Sequence, residues 1–579
     1  DLEDVSKFVS EKYGYDTGSW TDYPAVESNT KFLARLDWNI NDNHKLALRY
    51  NYTLNQAWNS TNASSMDGGT RSGFGRLSQY GMAYANSLYS MDNLVSTVSL
   101  DLNSRLSDNL SNQFLATFSK LDDMRGTNSE DMPFIDIRKD DGSSVLPYIA
   151  LGYELFTWNN GVHNTHISIK DDLTYYAGDH KFTAGVNYEY QMADNSYMRN
   201  GTGYYRYKSL EDFYAGAAPE VVCLTYGYDG EANPAARVRF HKTGIYGQDE
   251  WNVNENFKLT AGLRLDGLFF DNQDLMTNKA IYDLEYIVDG EARHIDTGKW
   301  PSAAITVSPR VGFSWDVLGD NSLKFRGGTG LFSGRLPLVF FTNMPTNSGM
   351  VQYQAQVNDK NLLNLFGTVK DANGNDVPKY TMDAFKGGIL KREQLLEKLV
   401  GMGYPNTISP EDGTVPSAIS GVDPKFKMPQ VWKTSFAIDY NFPTSFPFSI
   451  SAEGIFNKTI NGVIIRDWSV KTADGFSRFN GADNRPVYKN FTQVGADGKA
   501  LPHAYMLENT HEGYGYSGTL TMNMRPVEGL SLMAAYTHTV SKEITGMPGS
   551  NASSVLNYMG TVYGPNDPGL HNSQYVTPD

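Results

Sequence analysis

Between Leu259 and Asp266 the chain reads Leu-Thr-Ala-Gly-Leu-Arg-Leu-Asp, with apolar and polar residues taking turns. Leu259, Ala261, Leu263 and Leu265 fall on one face, and Thr260, Gly262, Arg264 and Asp266 on the other. A period of two belongs to a strand. With the stretch from Gly244 before it, this segment predicts two strands joined by a short polar turn. In a soluble sandwich the apolar face would meet a core. In an outer-membrane barrel it would meet lipid, with Arg264 and Asp266 in a wet lumen. One hairpin leaves both open.

The pattern recurs six more times. Paired strands are predicted at 31–40 with 45–54, 93–105 with 112–121, and 165–176 with 181–192. Three more pairs follow: 309–315 with 323–331, 431–440 with 448–457, and 517–525 with 530–538. Seven hairpins give about 14 strands, each long enough to cross an apolar layer at a tilt of ~45°. The connections within hairpins are a few residues; those between hairpins run to tens of residues. That asymmetry is the topology of an outer-membrane barrel, so the expected fold is all-β, a transmembrane antiparallel up-and-down β-barrel. The long loops are expected outside the cell and the short turns in the periplasm. Tags at Asp67 and Asn373 would then be extracellular, and one at Asp320 periplasmic. The longest loop, 332–430, reads as irregular apart from one short helix at 391–400, and a loop that long is usually functional. A short amphipathic helix is predicted over 1–13, with Leu2, Val5, Phe8 and Val9 on one face, as a surface-loop element.

Composition fits this picture. The 579 residues carry 65 Asp+Glu against 49 Lys+Arg, a formal charge of −16. A nucleic-acid-binding face would be basic, so that class is excluded. Tyr (36), Phe (29) and Gly (54) are abundant, and the mean hydropathy is −0.44. Aromatic girdles and polar loops produce such a balance. No run of about 18 apolar residues exists, which excludes a helical membrane protein. Cys223 is the only cysteine, leaving no disulfide framework; it reads as a buried or loop thiol.

No catalytic constellation stands out, so an enzyme is not expected, and neither is a cofactor. His163 and His166 are three apart at a strand start, on opposite faces, and do not make a metal site. Asp371-Ala-Asn-Gly-Asn-Asp376 resembles the start of a calcium loop but lacks its sixth-position glycine and twelfth-position glutamate, where Met382 stands; it reads as a turn. The charges in the polar phase of the strands are expected to face the lumen: Arg49, Asp101, Glu189, Arg264, Lys324, Arg326, Lys433, Asp439 and Glu453. Trp158, Tyr204, Tyr205 and Tyr207 lie in loops, where they would stack a ligand or pack the loops.

IYGQDEWNVNENFKLTAGLRLD resembles the late-barrel signature of TonB-dependent outer-membrane receptors, carried by Tyr246, Gln248, Asp249, Trp251, Leu259, Thr260, Gly262, Leu263, Arg264 and Asp266. The stretch 308–335, with PQVWKTSFAIDYNF and LSLMAAYTHTVSK, is similar to the Oar-like branch, in which a carboxypeptidase-regulatory-like domain and a plug lie upstream. The resemblance implies a barrel of roughly 22 strands. Residues 1–579 would then be its barrel portion, with signal peptide, plug, TonB box and terminal strands lacking. It further implies a Gram-negative outer-membrane receptor that imports a large solute (peptide, protein fragment or oligosaccharide). Its partners would be the TonB–ExbB–ExbD complex, acting through an upstream segment, a surface lipoprotein and outer-membrane lipid. The alternatives are a passive porin, a surface adhesin or glycan-binding β protein, and a surface hydrolase.

Overall fold

The computed structural model of the chain describes residues 1–65, 74–140, 145–471, 477–481, 486–487, 492–544, 547, 549, 551–558 and 571–572. Asp67 lies outside them.

Seven hairpins form one antiparallel wall. Its strands are β1 (Glu27–Asn41), β2 (His44–Asn59), β3 (Tyr89–Ser107), β4 (Leu110–Gly126), β5 (Gly161–Ala177), β6 (His180–Ser196) and β7 (Ala236–Asn254). They continue with β8 (Phe257–Phe270), β9 (Ala304–Asp316), β10 (Leu323–Ser333), β11 (Gln430–Asn441), β12 (Phe448–Asp467), β13 (Tyr514–Val527) and β14 (Leu530–Glu543). Each strand pairs with its neighbour in sequence, from β1–β2 through to β13–β14. This is the up-and-down meander of an all-β barrel. Among the described residues β1 and β14 do not pair with each other. Three shorter strands, Ala418–Val422, His503–Thr510 and His571–Asn572, extend the sheet at its long-loop rim.

The short turns are built from local side chains. Asn41 accepts the N–H groups of Asn43 and His44 at 2.9 and 3.0 Å. Asn254 repeats this on Asn256 and Phe257, both at 2.9 Å. Such a side chain imitates a backbone turn and starts the return strand in fixed register. Gly529 provides the positive φ (81°) of the last turn.

One face of the wall is apolar and exposed: Leu36 is 70 % and Ile305 74 % accessible, with Leu48, Leu263, Phe436 and Leu520 in the same phase. A soluble protein does not leave such a band open to water. No helix among the described residues is long and apolar enough to cross a membrane.

The long loops are folded. Six short strands from four of them make one mixed sheet, ordered Gln352–Val357, Val221–Gly227, Tyr204–Tyr207, Phe134–Asp140, Val145–Leu151, Met82–Ala83. Helices α1 (Leu2–Tyr13), α2 (Leu210–Ala215), α3 (Val339–Thr346), α4 (Asp359–Phe366) and α5 (Arg392–Met402) belong to this long-loop side. We call the six-stranded sheet with α1, α2 and α5 the cap.

The helix expected over 1–13 is present as α1, and its expected apolar face is the one turned inward: Val5 and Val9 are fully buried, and Phe8 meets Phe213 and Tyr214 edge-on at 5.4 and 4.8 Å. Its apolar stripe finds its partner within the chain. One expectation is corrected: the stretch 332–430 is not irregular. It holds three helices, a cap strand and a small hairpin, Thr368–Lys370 with Asp376–Pro378. Asn373 is at the exposed tip of that hairpin, where Asp371 accepts the N–H groups of Asn373 and Asn375 at 2.9 and 2.8 Å, as a turn does.

Candidate functional site

Directly opposed residues of paired strands point to the same face. Lys324, Asp439 and Ser451 are in register, as are Arg326, Ala437 and Glu453, and Gly330 with Lys433. Following the pairs back to Ala47–Asp101 places Arg49, Asp101, Glu189 and Arg264 in the same phase. All nine charges therefore share the face opposite the exposed apolar one.

They fall into separate groups. Arg326 joins Asp439 and Glu453, each at 2.9 Å, and Ser451 donates to Asp439 at 2.5 Å. Lys433 lies over the Phe332 ring. Asp101 accepts from Asn103 and Gln113, and Arg49 is opposite Arg35.

Glu189 and Arg264 belong to the densest group, on β5 to β8. Arg264 makes two bonds to Asp266, at 2.8 and 2.7 Å, and one to Asn187 at 2.5 Å, and lies over the Tyr246 ring. The Tyr246 hydroxyl donates to Asp172, which also pairs with Lys170 at 2.5 Å. Lys242 is 3.7 Å from Asp266. Glycines make room for this network. A Cβ at Gly244 would collide with Asn187, Arg264 and Asp266, and one at Gly185 with Asp172 and Tyr246. Lys170, Asp172, Asn187, Lys242 and Tyr246 carry the same strand phase as Arg264, a signal present in the alternation.

Above this group the same phase of the wall turns apolar. Ala193, Val238, Phe240 and Leu268 are buried. Helix α3 covers them: Phe341 packs on Phe270 at 5.3 Å and on Phe426 at 5.6 Å, and Asn195 donates to Thr342 at 3.0 Å. The loop that carries α3 leaves β10 through Arg335, which reaches back to Glu189 at 2.5 Å. Glu189 is buried, and His166 stands 3.9 Å from it. A small cleft lies beside this contact, lined by Lys242, Asp266, Thr306 and Arg335. The polar face is thus roofed by a helix that the sequence pattern did not reveal.

The loop aromatics are placed differently from a stacking platform. Tyr204, Tyr205 and Tyr207 are completely buried in the cap sheet. Tyr204 donates to Asp136 at 2.8 Å, and Leu390 N–H donates to the Tyr205 oxygen at 3.2 Å. Burial pushes all three hydroxyls well above their usual pKa. As placed, they pack the cap and present no face to a solute. Trp158 is half-buried, with the Arg392 guanidinium over its ring at 5.5 Å and Tyr153 edge-on at 5.6 Å. Burial pushes the Tyr153 hydroxyl up to about 12 and pulls Arg392 down. Helix α5 is also part of this packing: Leu395 and Leu399 are fully buried. Cys223 is buried in the adjacent strand.

A second loop cluster surrounds Trp468. Arg466 holds Asp289 through two bonds, at 3.0 and 2.9 Å, and lies 3.4 Å from Glu508. Trp468 donates its indole N–H to Glu508 at 3.0 Å. Burial raises the Glu508 carboxyl despite the nearby guanidinium of Arg466. Among the described residues no three His, Cys, Asp or Glu side chains gather as metal ligands. His163 pairs with Asp122 at 2.8 Å, and His166 faces Glu189 on the other side of β5.

The family model described as "Outer membrane beta barrel domain" matches residues 12–575. No match is found among curated proteins. Among solved structures, the outer membrane transporter YddB from Escherichia coli is 10 % identical, with a TM-score of 0.49 over 89 % of this chain and 48 % of its own. The copper transporter OprC is 14 % identical, with a TM-score of 0.43 over 91 % of this chain and 55 % of its own. The FrpB iron transporter from Neisseria meningitidis is 12 % identical, with a TM-score of 0.42 over 89 % and 53 %. The chain spans about half the length of these structures.

Proposed function

This chain belongs to the outer membrane beta-barrel domain family, and we propose that it is the barrel portion of a TonB-dependent importer of the Oar-like branch. In this reading the nine-charge face lines the lumen. The long loops are extracellular and the short turns periplasmic. The solute is large: a peptide, a protein fragment or an oligosaccharide. The observation that carries the reading is α3, folded onto the inward phase of β6 to β8 directly above the charged group. A helix roofing the polar face suits a gated passage.

The loop from Gly334 to Pro429 then acts as the lid, with Arg335 and Glu189 joining its root to the wall. Energy would come from TonB–ExbB–ExbD through a plug and TonB box outside this chain, and a surface lipoprotein would assist capture. Trp158, on the edge of the cap, is the one loop aromatic of the four still open to a solute.

The test is a reversible lock. In Asn195→Cys/Thr342→Cys, oxidation should pin α3 to β6. Uptake of fluorescein-labelled peptides and oligosaccharides by cells making the full receptor should stop, and return on reduction. A proton uncoupler should stop uptake by the unlocked protein. Uptake that ignores both treatments is porin behaviour and ends the importer reading. Tags at Asn373 and Asp320 test orientation: the first should label on intact cells, the second only after permeabilisation.

A further inference from the structure

The membrane-facing side of β9 to β12 is not evenly covered. On its middle strand β10 the outward phase holds Gly327 and Thr329, and on β11 it holds Thr434. These small residues sit between larger ones, so the surface dips. The dip is a trough of about 360 Å³, walled by Pro309, Val311, Thr329, Leu331, Trp432 and Ile460. Trp432 is fixed over it, donating its indole N–H to Thr329 at 2.6 Å, and Thr329 bonds Thr434 at 2.7 Å. Both hydroxyls are thereby satisfied, and the lining facing the bilayer is apolar.

A cation stands beside the trough, on the far side of Trp432 from Leu331. Lys458 is in register with Trp432 and on the same face. Its ammonium donates to the His511 carbonyl at 2.8 Å and, among the described residues, forms no ion pair. Most other lysines and arginines of the wall have a carboxylate partner or lie in the polar phase. A lysine on the outer face is costly near the bilayer centre and tolerable near the headgroups. Trp432 is two residues from the rim end of β11, which puts Lys458 at headgroup height.

A lipid tail gains no hydrophobic energy by leaving other tails for an apolar trough. Any preference among lipids must therefore come from shape and from the headgroup. We propose that the trough and Lys458 form a seat for one lipid with a negatively charged headgroup, in the leaflet on the long-loop side. The acyl chain lies along Thr329 beneath Trp432, and the headgroup phosphate meets the Lys458 ammonium. This seat rests on the membrane-facing wall and is independent of the transport reading.

The experiment uses the full receptor folded in dodecyl maltoside, with folding checked by heat-dependent gel mobility. Equal amounts of phosphatidylglycerol and phosphatidylcholine with identical tails are added, and retained lipid is read by native mass spectrometry. Phosphatidylglycerol should be retained about fivefold over phosphatidylcholine, the factor supplied by one lysine near an anionic lipid. Lys458→Gln should bring the two lipids level. Lys433→Gln, on the opposite face of the neighbouring strand, should leave the preference intact. Thr329→Phe, which fills the trough, should lower retention of both. Equal retention by the wild-type chain, an undiminished preference in Lys458→Gln, or unchanged binding by a folded Thr329→Phe would each overturn the proposal.

Discussion

The wall and the cap are both β-sheet, and they sort their side chains by opposite rules. In β8 Ala261, Leu263 and Phe269 of one phase are exposed and the residues between them are half-buried or buried, because one face meets lipid and the other meets water or charge. In the cap strand Val221–Gly227 all seven residues are buried, and in Tyr204–Tyr207 all four. One side of that sheet packs Tyr205, Tyr207, Val222, Leu224 and Tyr226 against α1, α2 and α5. The other packs Phe134, Tyr204, Val221 and Cys223 around Leu155. The wall takes its stability from its surroundings and its hydrogen-bond ladder; the cap carries a core of its own.

If that contrast holds, core damage should be confined to the cap. Phe213→Ala removes a fully buried ring and should cost the cap about 3–5 kcal/mol. Limited proteolysis should open the long loops while the wall keeps its heat-dependent gel mobility. Joint loss of both would merge the two regions into one cooperative unit.

The wall has its own asymmetry. Leu263→Arg puts a charge on the lipid face and should cost about 2–4 kcal/mol if it lies near the midplane. Ala47→Arg, in the charged phase, should be much milder. Urea titration of both variants in detergent reads the difference, and equal penalties would reverse the assignment of faces.

Smaller again is the effect of a single methyl. Gly244→Ala would push a Cβ into Asn187 and Asp266 and should cost about 1–3 kcal/mol by overpacking. Gly247→Ala, on the same strand in the outer phase with open space around it, should be nearly neutral. The same urea titration distinguishes them.

The smallest effect belongs to the Trp468 cluster. Burial raises the folded-state value of Glu508, so its neutral form is the favoured one. The cluster is most stable below the carboxyl's ordinary value of about 4.5 and loses stability as pH rises through the raised value. Hydrogen exchange across Gly462–Asp467 should therefore quicken with pH beyond the intrinsic chemical rate. Glu508→Gln should remove that excess slope.

The same contrast explains what was legible in the sequence. The wall strands declare themselves through period two, and the structure lengthens them mainly toward the loops, where alternation fades. The Asn41 and Asn254 turns are equally plain. VVCLTYG is opaque, because a strand buried on both faces has no alternation to read. One of its two partners, Gln352–Val357, also comes from another loop, so no local pattern forecasts that pairing. The nine charges were visible as a phase, but not their division into groups, which depends on the distances across strands. Tyr204, Tyr205 and Tyr207 read as loop aromatics that would stack a ligand or pack the loops, because the sheet that buries them could not be seen. Helix α3, VFFTNMPT, is eight residues long, too short to show a helical stripe. Its partner Phe341–Phe270 is 71 positions away in the chain.

The assembly of the cap sheet from four separate loops has a kinetic consequence. Tyr205 reaches Leu390 across 185 residues, and Tyr13 reaches Ile389 across 376. Closing such distances in a free chain is slow, since the loss of chain freedom precedes any gain from contact. Hairpin pairing in the wall shortens every one of these paths by bringing the loop ends to one rim. The cap should therefore mature after the wall, inside the membrane it has already entered. Until then its tyrosines and valines stand open to water at that rim, and that interval is when the chain is most vulnerable to proteases and to pairing with another copy.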